Sequence, residues 1–235
     1  MTRRELLRDE RGFSLIELLM AMALGSLVLT AVMLVFTTGI TASSKIGDRI
    51  DSASRARDAM DRITTLLDSQ VCLRNSGDST TQPAIAPIVG ASSTANSITF
   101  YADLNGATDT PSKYTITYDP AAKTLTQYKY LGSGLLPNVT FASSPVTTLL
   151  SDNVQQAGAV PVFSYYVFSS DGTVNEGAPV TPSATNQLQI VRVGVQFQAN
   201  SARTKTGDAS RSVVSGQGTV ATADPTDPDL TACAA

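Results

Sequence analysis

Apolar and polar positions change their spacing several times along this chain. Residues 1–12 are polar and carry four Arg against three acidic side chains, and no charged residue occurs between Leu18 and Ser44. That uncharged run exceeds the roughly 20 apolar residues that cross a bilayer core. It predicts a membrane-spanning helix whose Arg-bearing end stays in the cytoplasm, with the rest of the chain outside.

The next segment keeps a helical period but becomes one-sided. Apolar residues recur at spacings compatible with 3.6 residues per turn, and acidic and Arg side chains lie between them. No Pro occurs before Pro83, so nothing forces a break. The pattern predicts one long helix, with a transmembrane half at 13–44 and an amphipathic half at 45–72.

Beyond Asn75 the apolar residues alternate with polar ones, as expected for half-buried strands. The alternating runs are 97–104, 113–119, 123–131, 160–172 and 187–199. Pro120 lies between two of them and predicts a hairpin turn. We therefore expect an α+β protein, with the long N-terminal helix packed on an antiparallel β-sheet domain at 73–199. The Ser/Thr/Asp/Pro-rich segment 200–235 is expected to be a C-terminal tail.

Composition narrows the range of functions. The 235 residues are 16% charged and 42% hydrophobic, which is typical of an exported β-rich protein. The net charge of −3 gives no support for a nucleic-acid contact, since such affinity comes mainly from Lys and Arg. The chain has no His and two Cys, which excludes zinc sites and Ser-His-Asp catalysis and leaves no argued enzymatic site.

The sequence GFSLIE at residues 12–17 lies where the polar leader meets the apolar run. Here the chain resembles the type IV prepilin and pseudopilin superfamily, whose leader ends in Gly, whose mature chain starts with Phe or Met, and whose fifth mature residue is Glu. The resemblance implies a leader peptide at 1–12, cleavage between Gly12 and Phe13 by a prepilin peptidase, and N-methylation of Phe13. It also implies a pilin-like fold and assembly with other pilin or pseudopilin subunits on an inner-membrane platform.

Glu17 raises a physical question of its own. A carboxylate four residues into a membrane helix is costly in lipid and usually meets a partner there. Cleavage would create an α-amino group on Phe13 of a neighbouring subunit, and this group is a natural mate for assembly. Otherwise the side chain would reach back to the lipid headgroups. The pilin resemblance favours the intermolecular pair.

A second resemblance covers more of the chain. The order of the segments 54–70, 114–128, 149–156, 163–172 and 189–197 is similar to that in W-type minor pilins and J-type minor pseudopilins of type II secretion. It implies a subunit at a filament tip or in assembly priming, in a type IV pilus, a secretion pseudopilus or a DNA-uptake filament. The alternative is a single-pass, membrane-anchored extracytoplasmic binding domain that does not polymerise.

Two further candidate sites lie towards the C-terminus. Cys72 and Cys233 would both face an oxidising compartment, and many pilins tie down a C-terminal segment by a disulfide. The alternative is a buried Cys72 thiol and a dangling Cys233. Asp224, Asp227 and Asp229 offer oxygens for Ca²⁺, which some pseudopilins bind, but a solvated tail is the favoured explanation because their spacing fits no ion-binding loop. No other cofactor is expected.

Overall fold

The computed structural model describes residues 14–73, 85–104, 110–134, 139–169, 173–175, 177–200 and 211–220. It contains one long helix, α1 (Leu15–Asp68, 54 residues), followed by antiparallel strands. The expected α+β class is confirmed. By internal contacts the chain divides into two compact units, Met1–Gly47 and Asp48–Ala235, which are described in turn.

In the first unit α1 is apolar on every side. Its large hydrophobic side chains from Leu15 to Ile40 are 55–77% exposed. Hydroxyl groups within this stretch donate back to carbonyls of the preceding turn, for example Thr30 Oγ1 to the carbonyl of Ser26 at 2.8 Å. Such bonds satisfy a hydroxyl without water. By length and composition α1 is able to cross a membrane.

The second unit contains the rest of α1 and the strands, which form two larger sheets and a small ribbon. The first sheet has the order β1 (Ser97–Ala102), β2 (Ser112–Asp119), β3 (Thr124–Tyr130), β6 (Val146–Ser151). The ribbon pairs β4 (Gly132–Ser133) with β5 (Thr140–Phe141). The second sheet is built on β9 (Ile190–Asn200), which pairs on one side with β10 (Arg211–Thr219) and on the other with β7 (Val154–Gln155) and β8 (Phe163–Val167).

The predicted hairpin is confirmed as β2 and β3. Asp119 pairs with Thr124 at its end, and Asp119 Oδ1 accepts hydrogen bonds from the backbone N–H groups of Ala121 at 2.8 Å and Ala122 at 3.0 Å. This carboxylate bonding to the backbone two residues on is how Asp favours a turn. Lys123 completes the reversal with a φ of 56°.

The core of this unit lies between one face of α1 and the inner faces of the two sheets. The helix contributes Ala56, Ala59, Met60, Ile63, Leu66 and Leu67, all nearly inaccessible. The sheets contribute aromatic rings, including Phe100 and Tyr114, which stack with their centroids 5.8 Å apart. The one-sided burial is what the helical period of the sequence predicts.

Tyr165 links the second sheet to the start of the first. Its side chain is 1% exposed, and its hydroxyl lies 2.9 Å from the carbonyl oxygen of Ser97 and 3.1 Å from that of Thr94. Burial raises the pKa of Tyr165 well above its ordinary value, and a side-chain hydrogen bond with Ser93 opposes this rise. The neutral hydroxyl is therefore the form that the fold holds.

The expectation of a tail throughout 200–235 is wrong for residues 211–219. They form β10, which runs antiparallel along β9 from the pair Arg211 and Asn200 to the pair Thr219 and Arg192. This strand has few apolar side chains because glycines lie where it meets α1. A Cβ on Gly216 would lie 2.6 Å from Met60 Sδ, and a Cβ on Gly218 would lie 2.5 Å from Leu67 Cβ.

Candidate functional site

The candidate assembly site lies at the first turn of α1. The carbonyl oxygen of Ser14 accepts hydrogen bonds from the backbone N–H groups of Glu17 at 2.9 Å and Leu18 at 3.2 Å. The helix starts at Leu15, the third residue after the predicted cleavage junction. Gly12 and Phe13 themselves lie outside the described residues, so processing there stays a prediction.

Glu17 is the one acidic residue of this first turn and is exposed. Its flanking residues Ile16 and Leu18 are 62% and 55% exposed, so the carboxylate stands on an apolar surface. Within the part of the chain that the structure describes, it makes no hydrogen bond or ion pair. The helix N-terminus favours an anion, and a carboxylate that enters lipid usually pairs with a charged group. Any charged partner of this carboxylate would therefore come from outside the described residues.

The candidate sites near the C-terminus stay predictions. Cys72 is half-buried, four residues after the end of α1, and the next residue, Leu73, forms a bridge to Ile85. Its predicted partner Cys233 lies outside the described residues. Asp224, Asp227 and Asp229 also lie outside the described residues, so calcium binding by them stays a prediction. The described ranges contain no cluster of three metal-ligating side chains.

Sequence reasoning missed the glycines that position β10. The segment RSVVSGQGT at 211–219 has Gly at alternate positions, 216 and 218, and the side of the strand that carries them meets Met60 and Leu67. Alternate Gly in a strand indicates that another element approaches its backbone closely. The alternate glycines are visible in the sequence, but the low apolar content of the segment led to its interpretation as a tail.

The N-terminal segment matches a known family. Residues 7–33 match the prokaryotic N-terminal methylation motif. A search of the curated proteins finds no match to the chain. The motif spans the Gly12–Phe13 junction, the first turn with Glu17, and the first part of the apolar helix. The resemblance to W-type or J-type subunits depends on residues 54–197, which the match does not reach, and it stays a prediction.

The pilin motif implies processing by a prepilin peptidase and assembly with other pilins, and with the apolar helix it indicates membrane anchoring. Proteins of this family are structural components and not enzymes. The matched motif, the long helix behind it and the antiparallel β-domain together form a pilin-like α+β layout, and they support a likeness to the type IV pilins and pseudopilins.

Proposed function

We propose that the chain is a minor, W-type or J-type subunit of an extracytoplasmic filament: a type IV pilus, a type II secretion pseudopilus or a DNA-uptake filament. Before assembly it lies in the inner membrane, with its N-terminus in the cytoplasm and its β-domain outside. The methylation motif at residues 7–33 supports this assignment. The Arg-rich leader supports the orientation, because positively charged flanks remain cytoplasmic.

The exposed apolar helix supports a change of surroundings during assembly. Large hydrophobic side chains from Leu15 to Ile40 have no cover among the residues that the structure describes. In water such a surface would be strongly unfavourable, and in a membrane lipid covers it. Neighbouring helices of the same kind can replace that lipid, so the subunit leaves the bilayer only where other subunits receive it on the assembly platform.

Glu17 is the observation that carries the proposal. It lies on the apolar first turn of α1 without a partner on the described chain. A neighbouring subunit, once cleaved, would present the α-amino group of Phe13 as the matching cation. Pairing two groups that are both costly in an apolar environment fixes the register between subunits, in the way that a buried polar pair sets the register of a coiled coil.

Substitution of Glu17 tests this pairing. Glu17→Gln keeps the size of the side chain and removes its charge, and Ser26→Ala is a matched control within the same apolar helix. We expect membrane insertion and leader cleavage to stay at wild-type levels in all variants, and Glu17→Gln to be depleted in sheared filaments by about tenfold, which corresponds to about 1.4 kcal/mol. Filaments that contain Glu17→Gln at wild-type levels would refute the pairing. A wild-type chain that is cleaved but absent from every filament would instead favour the membrane-anchored binding domain.

A further inference from the structure

A polar cleft lies on the outer face of the second sheet, on the side away from α1. It has a volume of about 350 Å³ and runs across β8, β9 and β10. Its walls are formed by Ser164 and Tyr166 of β8, Gly194 and Gln196 of β9, and Ser215 and Gln217 of β10. The volume is at the lower end of the range for small-molecule sites. The cleft is distant in sequence from the methylation motif and has no part in the proposed assembly contact.

The shape of the cleft depends on Gly194. A Cβ at this position would lie 3.2 Å from Cε2 of Tyr166 and 3.7 Å from Cβ of Ser164, so the absence of a side chain lets the Tyr166 ring lie close against the strand backbone. The Tyr166 ring forms one wall, and the guanidinium carbon of Arg192 lies 4.6 Å from the centre of that ring. This cation–π contact holds the ring in place. The cleft is therefore a preformed hollow beside an aromatic face.

Neutral polar groups without protein partners line the cleft. Within the described ranges, the side chains of Ser164, Gln196, Ser215 and Gln217 make no hydrogen bond to the protein. Ser164 is the most informative because only 8% of its surface is exposed. Its hydroxyl is not among the buried side-chain atoms that lack a partner, so it keeps access to the cleft and can hydrogen-bond a ligand or water there.

The chemistry of the lining selects the ligand. Hydroxyl and amide side chains both donate and accept hydrogen bonds, and no charged side chain is among the described residues that line the cleft. A cationic ligand would leave its charge unpaired there, which is costly, and the nearby Arg192 guanidinium is already engaged with the Tyr166 ring rather than directed to an anion. A sugar has hydroxyls that donate and accept and apolar C–H faces that pack on aromatic rings. We propose that this cleft binds a neutral saccharide unit, either of a free oligosaccharide or of a cell-wall glycan strand.

Binding can be measured on the full-length protein in lauryldimethylamine oxide, since detergents with sugar headgroups would compete. The soluble probes are chitotetraose and maltotetraose, followed by saturation-transfer NMR and by Tyr fluorescence, which no Trp obscures in this chain. The insoluble probe is purified peptidoglycan, followed by co-sedimentation. Saturable binding of a soluble probe would identify a free-oligosaccharide site. Binding of peptidoglycan alone would identify a glycan-strand site, and either result supports the proposal.

Substitutions in the cleft test whether the saccharide binds at this position. The double variant Gln196→Leu/Gln217→Leu removes two hydrogen-bonding groups from accessible positions, and we expect the affinity to fall at least about tenfold. Gly194→Val fills the floor and should abolish binding, provided that circular dichroism shows the native β-signal. Thr148→Leu, at an exposed position of β6 in the other sheet, should bind as the wild type does. No binding of any probe, or equal binding by the double variant and the wild type, would overturn the proposal.

Discussion

The two glycines of β10 give the sharpest prediction about stability. A Cβ on Gly218 would lie 2.5 Å from Leu67 Cβ, 3.0 Å from its Cδ1 and 3.2 Å from its Cγ. The nearest of these atoms is fixed to the helix backbone, so Gly218→Ala has to move β10 away from α1. A Cβ on Gly216 would instead meet Met60 Sδ at 2.6 Å, and a flexible thioether can move aside.

Each substitution lowers the free energy of unfolding through overpacking and raises it by a smaller amount through its effect on the unfolded chain. Overpacking a well-packed core costs about 1–3 kcal/mol, while replacing Gly stabilises by about 0.4–1 kcal/mol through the unfolded chain. We expect Gly218→Ala to lower the free energy of unfolding by about 1–2 kcal/mol and Gly216→Ala by less than about 1 kcal/mol. Urea unfolding of the detergent-solubilised chain, followed by the β-signal in circular dichroism, measures both values.

Second-site variants test the stated cause. Met60→Ala should restore most of the stability lost in Gly216→Ala, relative to Met60→Ala alone, because it removes the clashing sulfur. Leu67→Ala should not rescue Gly218→Ala, since the clashing Cβ remains. Gly177→Ala is the control, because its Cβ would meet only Asn175 Oδ1 at 4.0 Å. If Gly218→Ala is as stable as Gly177→Ala, β10 does not pack on α1 as described.

Two further predictions concern the β-domain. Burial raises the pKa of Tyr165, so near pH 10 this group ionises in the unfolded chain but not in the folded one. Its contribution to the free energy of unfolding is therefore complete below about pH 10. Above that pH the contribution falls by up to about 1.4 kcal/mol per pH unit. Urea midpoints at pH 8, 10 and 11 should show this fall, and Tyr165→Phe should weaken it; an unchanged slope in the variant would contradict the assignment. A bridge between Cys72 and Cys233 predicts no alkylatable thiol in the untreated protein and a lower urea midpoint after reduction, with about 5 kcal/mol as the upper limit of the loss. Two reactive thiols in the native sample would remove the bridge.

Much of the fold could be predicted because local patterns carry it. The charge-free run and the one-sided helical period after it together define α1, and alternation defines the strands β1, β2, β3, β8 and β9. The expected end of the helix, residue 72, lies four residues beyond the observed end. It ends at Asp68, and Gln70 already forms a bridge with Ala102. Such a boundary depends on a contact with a distant strand, which a local pattern does not reveal.

The strands that escaped prediction lack a normal alternation. β6 is an edge strand in which the first four residues are exposed, Leu150 is half-buried and Ser151 is buried. Its apolar residues therefore do not alternate with polar ones on a single buried face. β10 has Gly where a strand usually has apolar side chains facing the core. The cleft on the second sheet was also missed, because it joins residues of three strands that are far apart in sequence.

The first residue of the mature protein tests the central claim most directly. Intact-mass and peptide analysis of the chain purified from its host membrane should show a polypeptide that starts at Phe13 and carries one added methyl group on its α-amino nitrogen. The variant Gly12→Leu should accumulate as the full-length precursor. A wild-type chain that retains residues 1–12, or starts at any residue other than Phe13, would contradict the account of this protein as a processed pilin-like subunit.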